Sequence, residues 1–207
     1  MMCSRRWILA ATPVFLAATV LAGCSSDPVP RDTFYRLGVP AAPAALAGGP
    51  IQGTVEVPLF RAQGIINERA VLYRESAREL AQYSYHAWLE PPSVMLQRVF
   101  TGALRDAKAF TGVATPEMRL DRNYELTGNI LEWEHVLPQG GNGPAVAIAL
   151  ELGVRRVAGN QQVLAKVYRV TEPAAGESVD AAAVAFTSGL DKIIGQLLAD
   201  LAALPKN

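Results

Sequence analysis

Cysteine is scarce in this chain of 207 residues, which has two, Cys3 and Cys24. Both stand in the first 24 positions, so the long remainder can hold no disulfide and offers no thiol, and packing alone must hold it together. Histidine is as scarce, with only His86 and His135. No Gly-x-Ser-x-Gly elbow precedes either, which leaves a Ser-His-Asp hydrolase without local support. Glu132, Glu134 and His135 resemble a ligand or acid–base cluster on paper, but successive strand side chains point to opposite faces, which separates Glu134 from His135. His135 then reads as a half-buried, hydrogen-bonded histidine, and His86, beside Tyr85 and Trp88, as part of an aromatic framework. No catalytic residue, metal ligand or enzyme activity is expected. Excess charge of one sign is lacking too: 19 basic residues balance 19 acidic ones, and nothing asks for nucleic acid. No repeat of solenoid length is found.

What is present begins at the N-terminus. Arg5 and Arg6 precede an apolar segment from Trp7 to Val20, followed by Leu21-Ala22-Gly23-Cys24. A basic end, a short apolar core and small residues at a cleavage point are the layout of an export signal. The core falls short of the roughly 20 residues of a membrane-spanning helix and is interrupted by Pro13. The tetrapeptide is similar to the lipobox of bacterial lipoproteins. That resemblance implies cleavage after Gly23, a diacylglyceryl group on the Cys24 thiol and an acyl chain on its freed amine, with no other cofactor. Two or more chains make such an anchor stable where one would not. In the lipoproteins it resembles, an aspartate after the cysteine favours inner-membrane retention, so that resemblance with Ser25 implies the outer membrane. Loss of Arg5 and Arg6 with the signal leaves 17 basic against 19 acidic residues, a mature charge near −2.

The expected organisation is a signal at 1–23, a lipidated N-terminus, short first strand and flexible tether at 24–50, and one folded domain at 51–207. Thr33 to Leu37 reads as an edge strand between stretches rich in Pro, Ala and Gly. Ile51, Gly53, Val55 and Val57 alternate with Gln52, Thr54 and Glu56, a strand with one buried face. Residues 69–74 and 79–85 suggest a hairpin carrying Tyr73, Tyr83 and Tyr85. Pro91 and Pro92 open a helix over 92–109, with Met95, Leu96, Val99, Phe100 and Leu104 along one stripe. A long strand over 123–137 changes its buried phase near Ile130, for which a β-bulge is the simplest cause. Val146, Ile148, Leu150, Leu152 and Val154 alternate with alanines and Gly153, which suggests a central strand with a helix packed over its small-residue face or, alternatively, room there for acyl chains. A partner strand over 162–170 and an amphipathic helix over 178–204 close the chain, the latter with too few basic residues for a membrane-surface helix. The fold class is α+β: a mainly antiparallel or mixed sheet covered by two long helices.

Four segments carry a wider resemblance: the lipobox; Phe34-Tyr35-Arg36-Leu37; Arg78 to Trp88 leading to Pro91-Pro92-Ser93-Val94-Met95-Leu96; and Tyr124-Glu125-Leu126-Thr127-Gly128 with Ile130. On these the chain resembles the ABC-type transport auxiliary lipoproteins, the PqiC-like group that accompanies MCE-domain lipid-transport systems. The resemblance implies an αβα layered domain similar to the N-terminal domain of TolB. It also implies a non-catalytic envelope component that docks a periplasmic MCE-domain protein, works through it with an ABC permease and ATPase, and assembles into a homo-oligomeric ring in some members. Tyr and Arg are enriched at interface hot spots, which makes Tyr73, Arg74, Arg78, Tyr83, Tyr85 and Trp88 the candidate partner contacts. The alternative is a periplasmic carrier that encloses an acyl chain in its own pocket.

Overall fold

The computed structural model describes residues 30–38, 41, 43–76 and 78–205. The signal, Gly23, Cys24 and the tether as far as residue 29 lie outside them. Asp32–Asn207 form one unit, whose fold follows.

The spine of this unit is β7 (Tyr124–Val136). One side of β7 pairs antiparallel with β8 (Ala145–Arg156), which in turn pairs antiparallel with β9 (Gln161–Pro173). The other side takes three parallel partners in succession: β2 (Ile51–Glu56) at Tyr124 and Glu125, β3 (Arg61–Ala62) at Asn129 and Ile130, and β4 (Ala70–Ser76) at His135 and Val136. Beyond β4 lie β5 (Glu79–Trp88), antiparallel, and β1 (Thr33–Tyr35), parallel to β5. Beyond β2 lies β6 (Phe110–Ala114), parallel to it. The result is a mixed nine-stranded sheet with two helices, α1 (Pro92–Asp106) and α2 (Val179–Ala202), an α+β fold as expected.

The phase change in β7 is a bulge. Ile130 lies opposite Leu150, yet Glu132 lies opposite Ala149, so Leu131 is the extra residue. Leu126 and Ile130 before it, and Trp133 and His135 after it, therefore all face the same buried side.

The helices take the large-residue face, which corrects the expected packing over the alanines. A Cβ on Gly189 of α2 would stand 2.7 Å from Ile148 Cδ1, so glycine lets the helix lie close on the Ile148 and Val170 side of β8 and β9. Phe60 occupies the place of a Gly128 side chain on that same side, and Phe100 of α1 packs on Phe60 with ring centroids 5.1 Å apart. Both helices thus feed one apolar cluster. The opposite face of Ala147 and Ala149 is shut by long charged side chains from neighbouring strands: Arg169 Nη1 meets Glu132 Oε1 at 2.6 Å across Ala149, and Arg74 Nε meets Glu134 Oε1 at 3.0 Å. Ala149 is 0% exposed, so no acyl chain fits there. Across β7–β9 the αβα layering is replaced by helix on one face and ion pairs on the other.

Helix ends follow their chemistry. Pro92 sits in the first turn of α1, where its missing N–H costs nothing. The Ser178 hydroxyl accepts from the Ala181 N–H at 3.1 Å and caps α2. The helix α1 stops at Asp106, short of the expected residue 109, because Lys108 turns to φ +48° and the chain enters β6.

Candidate functional site

The hairpin β4–β5 does not pair evenly. Ala70 lies opposite Ala87 and Leu72 opposite Gln82, so two steps along β4 match five along β5, and Tyr83–His86 swell out of the ladder. Within the swelling Tyr85 has φ +61°, a left-handed conformation that costs a non-glycine residue about 1–2 kcal/mol. Its side chain is 47% exposed. Tyr83 and His86, on either side, turn inward instead.

Beneath Tyr85 lies a cluster that holds this shape. The Tyr83 hydroxyl and His135 Nδ1 are 2.8 Å apart, as are the Tyr35 hydroxyl and His86 Nδ1. Tyr73 packs on Tyr83 at 4.5 Å between centroids, and Tyr83 meets His86 edge-on at 6.0 Å. Four strands, β1, β4, β5 and β7, are fastened through these five rings. His135 is 0% exposed. Burial lowers its pKa, against a smaller pull from Glu177, so the ring is neutral at pH 7. Burial first, then Tyr73, Glu177 and Glu75, pushes the Tyr83 phenol up to about 12. The Tyr83 hydroxyl and His135 Nδ1 share their hydrogen bond in whichever direction the imidazole tautomer sets, and Nε2 has no hydrogen-bond partner among the described residues. The cluster ties β1, β4, β5 and β7 together around the swelling.

The six expected contacts are therefore divided. Tyr73 and Tyr83 are half-buried members of the cluster. Trp88 is 0% exposed, packed against Trp133 and Phe186 with centroids at 5.9 and 5.3 Å, so it is corrected from a partner contact to a core residue. Arg74 lies on the ion-paired outer face with Glu134, which points away from His135 as expected. Arg78 at the hairpin tip and Tyr85 on the swelling are exposed. His135 is fully rather than half buried. Tyr35, His86 and His135 are the members that sequence reasoning missed as a group. Tyr35 and His86 stand in the recognised motifs, but their meeting depends on β1 pairing in parallel with β5.

A second feature lies at the other end of α2, a cavity of about 600 Å³ between the last turn of α2, the start of β2 and the β8–β9 hairpin. Phe110, Val154 and Leu201 form its buried floor, and Arg156 stands in its wall with the guanidinium 5.8 Å from the Tyr124 ring centroid. Among the described residues no group of three His, Cys, Asp or Glu side chains could hold a metal, and no helix is long and apolar enough to cross a membrane.

A mixed sheet with two helices on its apolar face, presenting an exposed tyrosine beside a tyrosine–histidine cluster, defines an α+β domain. The chain belongs to the family of ABC-type transport auxiliary lipoprotein components, whose model matches residues 35–200. Its fold is that of protein XCC0632 from Xanthomonas campestris, which is 22% identical, with a TM-score of 0.70 over 80% of this chain and 92% of that one. It is also similar to an uncharacterized protein that is 14% identical, with a TM-score of 0.61 over 84% of this chain and 97% of that one. No curated protein matches.

Proposed function

We propose that this protein is an outer-membrane lipoprotein, anchored through acylated Cys24, that docks the periplasmic MCE-domain component of an ABC-type lipid-transport system and performs no chemistry of its own. Family membership supports the transport association. The observation that carries the docking role is Tyr85, an exposed aromatic at φ +61° beside a hydrogen-bonded tyrosine–histidine cluster, since strain that the surroundings maintain concentrates at working sites. Arg78 lies at the tip of the same hairpin, and the two supply the aromatic and guanidinium types that dominate hot spots. A short lipidated tether would raise the effective concentration of this face near its partner without a tight contact. Assembly into a ring belongs to the same reading, and the likeness to the TolB N-terminal domain rests on the resemblance alone.

Two experiments test it. Cys24→Ala should leave the domain folded and release it from the outer-membrane fraction; sedimentation unchanged from the native protein refutes the anchor. Arg78→Glu combined with Tyr85→Ala should lower recovery of the MCE-domain protein in a pull-down by tenfold or more, as loss of hot-spot residues does, and undiminished recovery refutes the docking face. The carrier reading keeps one structural handle, the cavity at the far end of α2.

A further inference from the structure

The strand β1 ends the sheet on one side, paired with β5 and with no strand beyond it among the described residues. Tyr35 lies opposite the buried Trp88, so alternation turns Phe34 to the other face, away from the helices. The Phe34 ring is 54% exposed, with the Arg69 guanidinium 5.1 Å from its centroid. Leu89, one residue past β5, donates its N–H to the Tyr35 carbonyl at 2.6 Å, which ties it to this edge, and it is 44% exposed. Arg36, two residues on from Phe34, is exposed as well. The edge thus presents two large apolar side chains with arginines around them.

Chain length limits what can lie against this patch. The nine residue steps from Cys24 to Thr33 reach at most about 32 Å when fully extended, less than the roughly 40 Å across a domain of this size. With Cys24 acylated, the domain cannot stand on its β6 edge and must keep its β1 edge within reach of the bilayer. An aromatic ring among arginines suits the bilayer interface, where the ring enters the headgroup layer and the long cationic side chains keep their heads in water. Asp32 and Glu68, exposed and close to them in the chain, balance Arg36 and Arg69, so apolar contact rather than charge must supply the attraction. Tethering lets even a weak contact persist. We propose that Phe34 and Leu89 seat the domain on the bilayer that holds its anchor, dipping into the headgroup region of the phospholipids. The inference rests on the acylated Cys24 of the proposed function and asks nothing of the MCE docking.

The test uses the processed, acylated protein in vesicles of phosphatidylethanolamine and phosphatidylglycerol. A nitrobenzoxadiazole label is placed on Phe34→Cys, on Leu89→Cys or, beyond β6, on Met118→Cys, which is also exposed. No other free thiol competes, since Cys3 leaves with the signal and Cys24 is acylated. Phospholipids that carry a nitroxide near the headgroup should quench the first two labels and spare the third. Adding Phe34→Ser to the Leu89→Cys protein should lower the ratio of bilayer-bound to free label about tenfold, the loss of one apolar ring from the contact, with the melting temperature preserved because the ring is exposed. Equal quenching at all three positions overturns the contact, as does an absence of quenching at Phe34→Cys and Leu89→Cys in a protein whose intact mass shows the acyl groups. Blue-shifted emission without quenching means that protein rather than lipid covers the patch, and overturns it too. A native mass without acyl groups refutes the anchor, a result distinct from unquenched labels on an acylated protein, and the inference falls with it.

Discussion

Tyr85 offers the sharpest test of the strained strand. In an ordinary strand, replacing alanine by glycine costs about 0.5–1 kcal/mol, because glycine has more freedom to lose. At φ +61° the order should invert, since alanine keeps the clash of its Cβ with the following carbonyl and glycine does not. Comparing Tyr85→Gly with Tyr85→Ala removes the exposed ring from both sides, so the ring's own packing cancels and the backbone term remains. That term, about 1–2 kcal/mol less the glycine entropy cost of about 0.5–1, should leave the glycine variant more stable by roughly 0.5–1 kcal/mol. For a domain of this size the difference is about 1–4 °C in melting temperature, measurable by calorimetry and by the urea midpoint at constant slope. Tyr85→Asn should fall between them, as asparagine tolerates the left-handed region. All three should lose MCE pull-down alike, because the partner would recognise the ring. A Tyr85→Ala protein equal to or more stable than Tyr85→Gly refutes the claim that strain is stored there.

Two further outcomes follow from the packing. Burial depresses the folded pKa of His135 below its ordinary 6.5, so its contribution to stability is complete above that value and is lost as pH falls through the depressed one, at up to about 1.4 kcal/mol per pH unit. Urea unfolding between pH 7 and 5 should therefore show a steeper loss in the native protein than in His135→Gln, even though burial raises the pKa of Glu134 and works the other way in both. Equal slopes would refute it. Gly128→Ala should destabilise by about 1–3 kcal/mol, because the added methyl meets the Phe60 ring, itself buried against Phe100; a change under about 0.5 kcal/mol in the urea midpoint free energy would show that the ring yields freely.

Local pattern made the antiparallel half legible. The alternation of Val146 to Val154, the bulge near Ile130, the Ser178 start of α2 and the Pro92 start of α1 all follow from periods and caps carried within a few residues. Of the parallel half, β1, β2 and β4 were legible as strands, while β3 and β6 were not. The strand β6, Phe-Thr-Gly-Val-Ala, is five residues of no clear period beside a helix end, and its strand character comes from pairing with β2 more than 50 residues earlier. The face that α2 covers was misjudged for a related reason. Alanines 147 and 149 are small whether a helix or an ion pair lies over them, and the partners Glu132 and Arg169 become neighbours only once the register of β7, β8 and β9 is set.

The same limit explains the site. The segment Tyr83 to Trp88 was visible as a run of aromatics, but which ring turns in depends on three extra residues in β5 relative to β4, and nothing in a strand-like sequence announces a swelling without glycine. Once it is present, alternation no longer assigns faces: Tyr83 goes to His135, Tyr85 to solvent, His86 to Tyr35 and Trp88 to the core. A regular strand would have put Tyr83 and Tyr85 on one face and His86 and Trp88 on the other. The swelling breaks that tie and frees one tyrosine from a shared buried face, while two hydrogen bonds to histidine keep the residues beside it in place. That separation of a presented ring from its bracing is what a docking surface requires, and it is the reason substitution of Tyr85 should alter binding with little loss of fold while substitution of Tyr83 should do the opposite.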